Sequence, residues 1–225
     1  DTGEENYFHF YNDVLTKIWL LSNSGITVTS FPVVISKKLW DKSYFQHCLK
    51  ASMLLQSLQW IVQDQQYIVC NRVIFCKPFT HRMDLLDPIF APLRIEGKGN
   101  RRIFLTRSKS RLRYIENASE IENIYSAYGF ETVDTDSLSL PQQIDLFSNS
   151  LFIVGIHGAG LTNMMFRKEH CKILEIFPPP DLGYLPFHYI MMAKLQGFRY
   201  RGIIGQSGKR RYSGGFQLNA VEFER

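Results

Sequence analysis

The chain has 225 residues, 45% hydrophobic and 21% charged, with a net charge of +5, a composition ordinary for a globular protein with room for one large or two small domains. Seventeen Phe and eleven Tyr argue against disorder, and no apolar run approaches the roughly 20 residues of a membrane span.

In chain order, "NYFHFYNDVLTKIWLLSNSG" places Phe8, Tyr11, Leu15, Ile18, Trp19 and Leu21 at helical spacing and stops at Gly25. "FPVVIS" reads as a strand and "SYFQHCLKASMLLQSL" as an amphipathic helix. "YIVCNRVIFCKPF" reads as one or two β-rich pieces. Two prolines and two glycines in "DPIFAPLRIEGKGN", residues 87–100, suggest a linker. The expected division is 1–92 for the first unit, 93–100 for the linker and 101–225 for the second unit.

The second half alternates. "RRIFLTR", "FETVDT", "LFIVGI", "CKILEIF" and "FRYRGII" read as strands. "NASEIENIYSAYG", "SLPQQIDLFSNS", "GLTNMMFR" and "LPFHYIMMAKLQG" read as the helices between them. Strands separated by helices imply a parallel sheet with helices on both faces, whose ligands bind beyond the carboxyl ends of the strands.

The four cysteines show neither C-x-x-C nor zinc spacing and read as free, mostly buried thiols. The sequon at Asn117 would matter only in a secretory compartment. The chain opens with "DTGEENYFHF" and not with Met, which suggests a fragment, so its start says little about targeting. The compartment stays open: cytoplasmic or membrane-associated for a bacterial protein, the ER or Golgi lumen for a eukaryotic one.

Residues 97–115, "GKGNRRIFLTRSKSRLRYI", carry seven Lys or Arg and no acid. Besides a solvated surface, this pattern fits an anion site. Arg107, Lys109, Arg111 and Arg113 alternate, and in an extended segment they would share one face, which suits a compact anion better than a nucleic-acid duplex. In "LFIVGIHGAGLTN" a buried strand ends at His157, Gly158, Ala159 and Gly160 before Leu161, Thr162 and Asn163. So bare a backbone can serve a phosphate cradle, an oxyanion hole or a tight turn. No G-x-S-x-G accompanies it, "GQSGKRR" fails the Walker pattern at Ile203 and Arg210, and the glycine spacing is not G-x-G-x-x-G. Asp134 and Asp136 form a D-x-D, the pattern that can hold a divalent cation against a diphosphate.

Three stretches, "IFLTRSKSRLRYIENASEI", "GFETVDTDSLSLPQQIDLFSNSLFIVGIHGAGLTNMMF" and "KILEIFPP", resemble glycosyltransferase family 61, and "NYFHFYNDVLTKIWLL" is similar to its N-terminal signature. That family includes protein O-linked N-acetylglucosaminyltransferases and plant xylosyl- and arabinosyltransferases. The resemblance implies an α/β fold of GT-B type, with two Rossmann-like units facing across a cleft. It also implies inverting, metal-independent transfer from a UDP-sugar to a glycan or glycoprotein hydroxyl, with no cofactor and no nucleic acid. In that scheme Arg107, the loop His157 to Gly160 and Thr162 meet the diphosphate, with Lys109, Arg111, Leu161 and Asn163 beside them, and Glu175 meets the ribose. Asp13 is the preferred base and His9 the reserve, one helical turn apart. Rival readings are a metal-dependent transferase using Asp134 and Asp136, or a glycan- or nucleotide-binding module without turnover.

Overall fold

The computed structural model describes residues 3–65, 67–76, 82–180, 185–206 and 214–220. The chain forms two units, Asp1–Leu93 and Arg94–Arg225.

In the first unit, the apolar spacing at the start gives a helical run: α1 (Tyr7–His9), a π-helical segment (Phe10–Leu15) and α2 (Thr16–Ser22). Asn6 starts it by accepting the backbone N–H of Phe8 at 3.0 Å. Gly25 follows it in the left-handed region, with φ +78°. β1 (Val33–Ser36), α3 (Lys37–Trp40), α4 (Ser43–Ala51), α5 (Met53–Ser57), β2 (Trp60–Gln63) and α6 (Met83–Phe90) come next. β1 and β2 pair in parallel, Val33 opposite Trp60. The core is aromatic: Phe10, Tyr11, Phe45 and Phe90 are fully buried, and Tyr11 stacks on Phe90 with ring centroids 4.8 Å apart.

Three readings change here. The helix expected over 43–58 breaks at Ser52, which is extended and whose hydroxyl accepts the backbone N–H of Leu55 to start α5. The strand expected within 67–79 is not found in its described part, 67–76, where Val69 and Phe75 stand exposed; β1 takes Trp60–Gln63 as its partner instead. Residues 77–79 lie outside the described residues. Asp87–Phe90 complete α6 despite Pro88.

The second unit contains β3 (Arg101–Leu105), α7 (Ala118–Ala127), β4 (Glu131–Val133), α8 (Leu140–Ser148), β5 (Ser150–Ile156), a 3-10 helix (Ala159–Phe166), β6 (Lys172–Phe177), α9 (His188–Leu195) and β7 (Arg199–Ile204). Ser139 and Gln142 form a capping box at the start of α8, and Gly129 and Gly197 follow α7 and α9 at positive φ. The strands form one five-stranded sheet in the order β4-β3-β5-β6-β7, every pair parallel. α7 packs on the face that carries Phe104, Val154 and Ile176. Leu161 of the 3-10 helix packs on the opposite face, beside Gly155. The architecture is therefore α/β, with parallel sheets flanked by helices, of the GT-B-like class. Among the described residues no helix is long and apolar enough to cross a membrane.

Of the four cysteines only Cys48 and Cys171 are buried, whereas Cys76 is half-buried and Cys70 is exposed. Burial pushes both buried thiols up to about 12.

Candidate active site

The strand order creates a defined place for a ligand. β3 and β5 lie side by side, yet the chain leaves β3 for β4 on one side and runs from β5 to β6 and β7 on the other. Connections that diverge in this way open a crevice beyond the carboxyl ends, the topological switch point of a doubly wound sheet. Thr106 and Arg107 follow β3, and His157 to Gly160 follow β5, so the basic segment and the bare loop meet there. A cavity of about 80 Å³ at this point is lined by Arg107, Arg111, Asp134, Asp136, Gly158 and Gly160, among others. A larger one of about 340 Å³ lies on the sheet face between Phe130, Phe152 and Ile203, away from the residues that follow β3 and β5. Size favours the second, but the convergence of polar groups at a switch point favours the first.

Arg107 dominates the switch point. Its Nη1 donates to the carbonyl of His157 at 3.5 Å. Burial, then the charges of Arg113 and Arg111, pull its guanidinium below the usual range. Like charges held together and partly dried are relieved by an anion, which suits a diphosphate. The alternating cations do not lie on an extended segment, however. No strand continues past Leu105; residues 109–113 turn, and Arg113 adopts φ +63°. The backbone of Tyr114 and Glu116 is hydrogen-bonded to Phe216, which pins the end of the segment. Arg111 pairs with Asp136, whereas Lys109 stands exposed.

The loop after β5 is bare for steric reasons. A Cβ on Gly158 would meet Arg107 Nη1 at 2.8 Å, and one on Gly160 would meet Thr135 Oγ1 at 3.1 Å. Neither glycine is left-handed; Gly158 is extended, with φ 166° and ψ 170°. Ala159 is half-buried, and Leu161, Thr162 and Asn163 are fully buried. Asn163 Nδ2 donates to Gln143 Oε1 at 2.7 Å, bracing the 3-10 helix against α8.

His157, a costly polar choice beside an apolar strand, is buried and has a partner: its Nδ1 meets Glu175 Oε1 in a short contact. Glu175 is itself fully buried, and its Oε2 accepts the hydroxyl of Tyr200 at 2.6 Å. The carboxylate that the family resemblance assigns to ribose thus has both oxygens engaged inside the unit. Asp134 and Asp136 line the cavity but also act locally: Asp134 accepts the backbone N–H of Asp136 at 3.1 Å, and Asp136 holds Arg111. Among the described residues no group of three His, Cys, Asp or Glu side chains could hold a metal ion.

In the first unit, His9 Nδ1 lies 2.7 Å from Asp13 Oδ2. Asn12, buried beside them, donates from Nδ2 to Asp13 Oδ1 at 2.8 Å. Both carboxylate oxygens are thereby oriented, while the Asp13 side chain keeps 20% exposure. The pair straddles the start of the π-helical segment, a distortion frequently found at functional sites.

Sequence reading missed Thr135, Tyr189 and Tyr200. Thr135 packs on Gly160, and Tyr189 sits edge-on to the ring of His157, 5.2 Å between centroids. The spacing Tyr-x-Gly in β7 was the available signal for Tyr200, because Gly202 leaves the space that its hydroxyl needs.

The family model Glycosyltransferase 61 matches residues 7–174, which include the His9–Asp13 pair, Arg107 and the Gly158–Gly160 loop. An alpha-1,3-arabinosyltransferase of Oryza sativa subsp. japonica is 33% identical over 98 residues, covering 41% of this chain and 17% of that protein. An EGF domain-specific O-linked N-acetylglucosamine transferase of Drosophila melanogaster is 29% identical over 103 residues, 44% of this chain and 19% of that protein. The matched stretch thus spans under a fifth of either relative. With three quarters of its length on the family model, the chain belongs to glycosyltransferase family 61.

Proposed function

We propose that this glycosyltransferase is an inverting enzyme that takes its sugar from a nucleotide diphosphate, UDP in our reading, and passes it to a hydroxyl of a glycan or protein. One observation carries the donor half: Arg107, partly dried and crowded by Arg111 and Arg113, lies against the bare backbone of Gly158 at a switch point. A charged diphosphate leaving group needs such fixed positive charge in the transition state. The named activities of the two relatives, arabinosyl and N-acetylglucosamine transfer, support a sugar donor.

In a single displacement the acceptor oxygen bonds to the anomeric carbon as the bond from that carbon to the phosphate oxygen breaks. The acceptor proton goes to a base and the electron pair to the diphosphate. Asp13 is the base in this reading, with His9 and Asn12 holding its two oxygens. Arg107 steadies the diphosphate, and the loop His157 to Gly160 lets it approach the backbone. The reading requires no metal, because the cations supply the charge.

Asp134 and Asp136 line the same cavity, which keeps a metal-dependent reaction as a second reading. Transfer from a panel of nucleotide sugars, with the product's anomeric configuration read by NMR, tests the proposal. Inversion without added metal is expected. Retention of configuration contradicts single displacement, and a strict requirement for Mn²⁺ favours the second reading.

A further inference from the structure

Three side chains on or next to adjacent strands form a polar line behind the loop, with His157 and Glu175 buried and Tyr200 half-buried. Tyr200 lies in β7, Glu175 in β6 and His157 just after β5. In the parallel register Glu175 stands beside Gly155 on one side and Gly202 on the other. The glycines leave the slot open. A Cβ on Gly202 would lie 3.3 Å from the Tyr200 hydroxyl and 3.1 Å from Phe177 Cε2, and one on Gly155 would meet Leu105 and Leu161 side chains at 3.1 Å. Through the slot Tyr200 donates to Glu175 Oε2 at 2.6 Å, and Glu175 Oε1 meets His157 Nδ1. Two aromatic rings pack on the imidazole, Phe177 stacked at 5.4 Å and Tyr189 edge-on. Its backbone N–H donates to Ile176 at 2.8 Å, while its carbonyl accepts Arg107.

A fully buried carboxylate is costly to bury without partners. A carboxylate also only accepts, so the ring nitrogen facing it carries a proton. The hydrogen bond at one ring nitrogen of a histidine decides the tautomer and orientation of the whole ring. The line therefore runs from Tyr200 through Glu175 to His157, whose own backbone meets Arg107.

We propose that Glu175 and Tyr200 are positioning residues: they fix the ring of His157, and through it the Gly158–Gly160 loop and Arg107, in the arrangement that receives the donor diphosphate. This places Glu175 behind the loop and not against the ribose. The inference rests on the donor reading above, and the test separates the two.

Glu175→Gln keeps the volume but replaces an acceptor-only group, and Tyr200→Phe removes one hydroxyl. Ring ¹⁵N spectra of His157 and backbone amide shifts of Gly158 and Gly160 are read in the intact chain without nucleotide, followed by calorimetric titration with UDP. In the parent protein Nδ1 is protonated. In Glu175→Gln the proton signature of the ring changes, both glycine amides move, and UDP affinity falls about tenfold, as for one lost charge-assisted hydrogen bond. Glu175→Asp restores part of the ring signature. If Glu175→Gln does not fold, Tyr200→Phe carries the test, with a smaller change of the same sign at all three sites. Unchanged ring and glycine spectra in a folded variant overturn the proposal. Changed spectra in a protein whose parent form binds no UDP uphold the line of contacts but overturn its role and the donor reading together. Unchanged spectra beside tight UDP binding by the parent overturn the positioning role alone.

Discussion

The guanidinium of Arg107 occupies the space that a side chain on Gly158 would need: a Cβ there lies 2.8 Å from Nη1. Gly158 is extended, so alanine brings no left-handed strain, and its cost falls on Arg107. Gly158→Ala is expected to keep stability within about 1 kcal/mol of the parent while displacing Arg107. Thermal melts and UDP titrations check this together. A large loss of melting temperature with normal UDP affinity would make the loop a structural turn.

Gly160→Ala is the milder case. Its methyl would sit 3.1 Å from Thr135 Oγ1, a contact that a shift of a few tenths of an ångström relieves. UDP affinity should fall less than in Gly158→Ala, and adding Thr135→Ala should restore it. A double variant no better than the single one would locate the effect elsewhere than this contact.

The D-x-D pair offers a third prediction. Asp136 pairs with Arg111, and Asp134 accepts the backbone N–H of Asp136, so both have local partners. Activity should survive EDTA, and Asp134→Asn should change turnover little, since its amide oxygen can still accept that N–H. Loss of turnover on chelation, restored by Mn²⁺, would transfer the chemistry to the two aspartates.

Asp13 separates acceptor chemistry from donor binding. Asp13→Asn should lower kcat by about 10²- to 10⁴-fold, the usual range for lost general-base help, while UDP affinity stays intact. His9→Asn should cost less, because His9 meets only one oxygen of the carboxylate. Undiminished turnover in Asp13→Asn would remove it from the base role.

Much of the second unit was legible because each signal is local. Gly129 after α7, Pro141 in the first turn of α8 and the apolar strands all act within a few residues. The first unit was harder. β2 is four residues long and is fixed by pairing with β1, a distant contact, whereas the more conspicuous apolar stretch after it forms no strand over 67–76. The cation alternation misled because the segment is not extended: residues 109–113 turn, and Phe216, a hundred residues away, holds the backbone of Tyr114 and Glu116 just after them. His157, the Gly158–Gly160 loop and Arg107 were visible as residue types, but their meeting was not. That requires the strand order, which puts β3 beside β5. The tie of Glu175 to Tyr200 likewise spans two strands, and neither residue alone announces it.

The most direct measurement is calorimetric titration of the intact chain and of Arg107→Ala with UDP, without metal, at matched ionic strength. The account predicts saturable binding to the parent protein. In the folded variant, losing a charge-assisted hydrogen bond of about 1.5–3 kcal/mol should weaken affinity by about 10- to 150-fold. Equal UDP affinity in parent and variant, or no binding to the parent, would contradict a donor site at the junction of β3 and β5.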